Sequence, residues 1–94
     1  MELTLVEALQ KGIAAHKENK LEDAERFYSA ILRFDPDHPE TNHNLGVLTM
    51  NRGNLEEALS LFKRSLEGKP EVEEVRVQNK IQITEGERLF RVDS

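Results

Sequence analysis

The sequence predicts an all-α fold of antiparallel helix–turn–helix hairpins, stacked as a short solenoid with a C-terminal capping segment. Three observations carry this. The chain repeats itself at a distance of 34 residues, and its apolar residues recur at helical spacing inside each copy. Gly, Pro and capping residues fall at the breaks between them.

The register is visible residue by residue. A shift of 34 lays Gly12 on Gly46, Leu21 on Leu55, Glu22 on Glu56, Ala24 on Ala58, Leu32 on Leu66 and Pro36 on Pro70. Ile13/Val47, Asp23/Glu57, Phe27/Leu61 and Tyr28/Phe62 are conservative pairs in the same frame. The matched positions are small, apolar or helix-stopping, the kinds on which a packed repeat depends. A single domain, residues 1–94, is therefore divided into a first unit over 5–38, a second over 39–72 and a remainder over 73–94.

Each unit holds two helices. Thr4-x-x-Glu7 is a capping box that opens the first helix, where Leu5, Leu9, Gly12, Ile13 and Ala15 share a face. Leu21, Ala24, Phe27, Tyr28, Ile31 and Leu32 form the apolar face of the second, which Pro36 ends. Pro39 suits the first turn of a third helix carrying Leu45, Val47, Leu48 and Met50. Gly53 can take the left-handed conformation that stops it, and Asn54 can cap a fourth over Leu55, Ala58, Leu59, Leu61, Phe62 and Leu66. Gly68 and Pro70 end the fourth in the same manner. Gly12 with Ala24, and Gly46 with Ala58, are expected at the closest approach of each helix pair. Tyr28 and Phe62 are expected to fill space toward the next hairpin.

Composition narrows the function. The chain has 37% hydrophobic and 33% charged residues, five aromatics of which one is Tyr, and no Trp. Such a mixture folds only because its apolar residues are periodic. There is no Cys, which excludes disulfides, thiolate metal sites and a Cys nucleophile. Thirteen basic against eighteen acidic residues, a net charge of −5, argue against nucleic acid as a partner. No apolar run approaches membrane-spanning length and the N-terminus lacks a signal-peptide pattern, so a cytoplasmic protein without membrane contact is expected.

The repeat resembles the tetratricopeptide repeat family, whose 34-residue pattern asks for Trp, Leu-Gly, Tyr, Ala, Phe and Pro at fixed offsets. The second copy supplies Leu45-Gly46, Ala58, Phe62 and Pro70; the first supplies Gly12, Ala24, Tyr28 and Pro36. Ala8 and Asn42 stand where the family often has Trp, Lys11 for Leu, Ala15 and Thr49 for Tyr, and Ile31 and Ser65 for a customary Ala. The stretch NHNLGVL after DPDHPE also resembles N-terminal repeats of bacterial proteins that carry transferase domains further on. The resemblance implies a protein–protein interaction module, an adaptor or scaffold, with no enzymatic activity and no cofactor.

It further implies a concave binding face lined by the first helix of each hairpin. Carried onto this sequence, that face takes Leu9, Ile13, His16 and Lys17, with Val6, from one helix. The other gives His43, Val47, Met50 and Asn51, with Glu40. Leu9, Ile13, Val47 and Met50 would form an apolar stripe for a peptide or helix of a partner, flanked by His16, Lys17, His43 and Asn51. The same surfaces, the repeat ends or the tail could instead hold a second copy of the chain, making a homo-oligomeric assembly unit. A carboxylate clamp of the kind found in chaperone-binding members would need Lys and Asn where Leu9 and Ile13 stand. Asn44 is its one match.

Catalytic and metal-ligating residues are expected to be absent. His38 and His43 lie near Asp35, Asp37 and Glu40, but without a paired-His helix motif they read as a turn His and a groove His. Ser29, Ser60 and Ser65 are helix residues outside any nucleophile-elbow context. In the remainder, Val75, Val77, Ile81 and Ile83 share the parity of a strand, whereas the open end of the second hairpin calls for a covering helix. The expectation is a capping helix from near Val72, or an irregular tail, with the last residues frayed.

Overall fold

Two helical hairpins and a two-stranded ribbon make up the computed structural model, which describes residues 1–67 and 89–92. The order is β1 (Glu2–Thr4), α1 (Leu5–Lys17), α2 (Leu21–Phe34), α3 (Pro39–Asn51), α4 (Leu55–Leu66) and β2 (Leu89–Arg91). α1 packs on α2, α3 on α4, and α2 on α3, so the hairpins stack through their inner helices. The fold class is all-α, with the ribbon added at one end.

Local chemistry sets the helix limits. At α1 the Thr4 hydroxyl accepts from the Glu7 amide at 3.1 Å while the Glu7 carboxylate accepts from the Thr4 amide at 2.9 Å, a complete capping box. The turn between α1 and α2 runs through Asn19 at φ 62°; the turn between α3 and α4 runs through Gly53 at φ 85°. These two left-handed residues are 34 apart, so the repeat extends to turn geometry. Asn54 then caps α4 by accepting from the Glu57 amide at 3.4 Å, whereas its counterpart Lys20 gives α2 no side-chain cap.

The inter-hairpin turn is held from α3. His38 caps this helix, Nδ1 accepting from the Thr41 amide at 3.2 Å, with the Thr41 hydroxyl 2.8 Å from the same nitrogen. Asn42, fully buried at a position the repeat often gives to Trp, donates to the carbonyls of Pro36 and His38, each at 3.0 Å. The Asn42 amide thus fastens the turn to the start of α3. Arg52 reaches back to Glu25 at 2.9 Å and ties the second hairpin's turn to α2.

The glycines explain the tight helix pairs differently from the expectation. A Cβ on Gly12 would stand 2.6 Å from Cε1 of Tyr28, and one on Gly46 would stand 2.8 Å from Cε1 of Phe62. The aromatic ring of the same hairpin, rather than Ala24 or Ala58, is what each glycine admits, although both alanines are buried. The core is deepest around the first hairpin, where Tyr28 and Ile31 of α2 and Leu48 of α3 are fully enclosed. On α4 only Ala58 and Leu61 are buried.

The end of the chain departs from expectation. Residues 89–92 are not frayed and do not cap the second hairpin. β2 pairs antiparallel with β1, Leu3 opposite Phe90, and the Val92 amide donates to the Met1 carbonyl at 2.8 Å. Phe90 stacks on Phe34 at the end of α2, with ring centroids 4.9 Å apart, and Val92 is buried. Apolar burial against the first hairpin therefore outweighs end fraying. The helix expected from near Val72, Gly68 and Pro70 all lie outside the described residues.

Candidate partner-binding groove

The groove is built from helix spacing. Ile13, His16 and Lys17 of α1 lie three and four residues apart, as do Glu40, Asn44 and Val47 of α3, so each set shares one helix face. Together with Tyr28 of α2 they enclose a cleft of about 360 Å³. Ile13 and Val47 give it apolar walls. Lys17 on the α1 side and Glu40 on the α3 side give it opposite charges across its width.

Tyr28 forms the buried floor beneath these side chains. Its side chain is fully buried, its ring meets His16 edge-on at 6.3 Å, and its hydroxyl has no hydrogen-bond partner among the described residues. Burial, and secondarily the nearby Glu40 carboxylate, pushes the phenol above its ordinary value, so it stays protonated and able to donate. A buried donor without an acceptor costs free energy on the order of 1–3 kcal/mol.

The expected groove residues divide. Ile13, His16, Lys17 and Val47 line the cleft together. Leu9 is 8% exposed and belongs to the core with Leu5 and Ala8. His43 is exposed, its ring tilted against Phe62 at 5.5 Å, and Met50 and Asn51 are exposed beyond the cleft lining. Tyr28 was expected as a spacer and Asn44 only as a partial clamp match; both line the cleft. A signal for Tyr28 lay in the repeat itself, since Tyr against Phe62 adds only a hydroxyl to a packed ring.

The His38 Nδ1 is taken up by the Thr41 amide. It is committed to the α3 cap, and among the described residues no group of three or more His, Asp or Glu is placed to hold an ion. Among the described residues, too, no helix is long and apolar enough to cross a membrane.

Comparison with known proteins agrees with the geometry: the profile of the tetratricopeptide repeat matches residues 15–81. The chain belongs to the tetratricopeptide repeat family. Repeats of this family generally serve as non-catalytic protein–protein interaction modules. No curated protein matches the chain, and no solved structure does.

Proposed function

We propose that this tetratricopeptide repeat chain is an interaction module that receives a peptide or helix of a partner protein in the cleft between α1 and α3. The observation that supports this most directly is the cleft lining, in which the apolar walls Ile13 and Val47 stand among His16, Lys17, Glu40 and Asn44. An apolar residue of the partner would fill the space between those walls, and a partner carbonyl would accept from the half-buried Asn44 amide. Lys17 and Glu40 on opposite sides would set its direction.

Capture of the partner by the tagged chain, followed by titration with the captured segment, tests the reading. Val47→Glu places a charge in the apolar wall and abolishes capture with helicity unchanged. Asn44→Ala removes a half-buried amide from the cleft lining, leaves the helices formed, and weakens binding by about 5- to 20-fold. If both variants bind like the parent chain, the cleft is not the partner site.

A further inference from the structure

We propose that the outer face of α4 docks on α4 of a second copy of this chain, in antiparallel orientation. Leu55, Leu59 and Leu66 are 62%, 68% and 88% exposed and fall in one line with the half-buried Phe62. Their spacing of four, three and four residues is the seam of a two-helix coiled-coil contact.

Comparison of the two repeat units shows that this stripe is not a leftover. The 34-residue shift lays it on Leu21, Glu25, Tyr28 and Leu32 of α2. In the first unit Tyr28 is fully buried, Leu21 and Leu32 are half-buried, and α3 packs alongside. The more exposed second face is the more apolar of the two. Where α2 carries Glu25, paired with Arg52, α4 carries Leu59. A repeat end that faces water calls for the reverse, a polar outer surface.

Charge selects the occupant and its direction. Glu56 and Lys63 are seven residues apart and border the stripe on one flank, both exposed. The other flank, toward α3, carries the small Ala58 and Ser65. A two-fold axis perpendicular to the helices brings like flanks together, so Glu56 of each chain meets Lys63 of the other, twice per dimer. Leu55 then opposes Leu66, and Leu59 opposes Phe62. A parallel pair would set Glu56 and Lys63 against Ala58 and Ser65 and gain no ion pair. One pair of 12-residue helices is a small interface, which places the dissociation constant in the micromolar range, about 1–100 µM. The cleft lies on α1 and α3, so the two proposals stand or fall separately.

Sedimentation equilibrium from about 1 to 500 µM tests the dimer on the full chain. The expected result is a reversible monomer–dimer equilibrium. Leu59→Glu, at an exposed position, should weaken it about 100-fold with the far-ultraviolet spectrum unchanged, because the interface carries the residue twice. Lys63→Glu should weaken it about tenfold, and Glu56→Lys combined with Lys63→Glu should restore it. A monomer at every concentration overturns the proposal and leaves the stripe to another protein or to other residues of the same chain. Dimers indifferent to Leu59→Glu overturn it by placing the contact elsewhere. Dimers that the double charge exchange fails to restore overturn the antiparallel arrangement.

Discussion

Gly12 and Gly46 occupy the same repeat position and admit an aromatic ring each, but the rings differ in freedom. Tyr28 is enclosed on all sides, whereas Phe62 is half-buried and can swing outward. Ala in place of Gly gains about 1 kcal/mol of helix propensity at either site. At Gly12 the added methyl must displace a ring that has nowhere to go, at a cost of about 1–3 kcal/mol. Gly12→Ala is therefore expected to lower unfolding free energy by up to about 2 kcal/mol, and Gly46→Ala to leave it near the parent value, both read by urea denaturation. Equal losses would mean that Phe62 is as confined as Tyr28. The glycine positions were legible in the sequence as small residues at a close approach. Which neighbour made them necessary was not, because ring and alanine share the same helix face.

At the scale of elements, most boundaries were legible because caps act locally. Thr4 with Glu7, and Asn54 with Glu57, bond backbone amides within three residues, while Pro39 and Gly53 fix φ where a helix begins or ends. The His38 cap carries a pH dependence. Desolvation holds its imidazole below the ordinary 6.5, against the opposing pull of Asp35 and Glu40, and only the unprotonated Nδ1 can accept from Thr41. The cap's contribution is complete above the unfolded-state value and is lost as pH falls below it toward the lowered folded-state value. The melting temperature should drop between about pH 7 and pH 5, and His38→Asn, which keeps a capping acceptor, should flatten most of that slope. An unchanged slope in the variant would assign the dependence to other groups.

At the scale of the whole molecule, the ribbon joins residues far apart in sequence. β2 returns to β1, and Phe90 lies on Phe34, so the end of the described chain is bound to the first hairpin and not the second. Phe90→Ala should lower unfolding free energy by about 1–2 kcal/mol and speed amide exchange at Val92 while leaving the four helices formed. Exchange at Val92 unaffected by the variant would show that backbone pairing alone holds the ribbon. The face of α4 stays apolar and open on the same scale, since no described element covers it.

The sequence by itself determined the helices, the caps at Thr4 and Asn54, the 34-residue repeat and membership in a family of binding modules. Those depend on contacts within a few residues or on a pattern that recurs along the chain. Only the tertiary structure decided that Leu9 is core and that Tyr28 and Asn44 share a cleft with Ile13 and Val47. It also decided that Leu89–Arg91 form a strand. Each of these is a contact between elements, and a strand of three residues, Leu-Phe-Arg, carries no periodicity from which a distant pairing partner can be read. The physical reason is the same throughout: a cap chooses among neighbours, whereas burial chooses among everything the fold brings near.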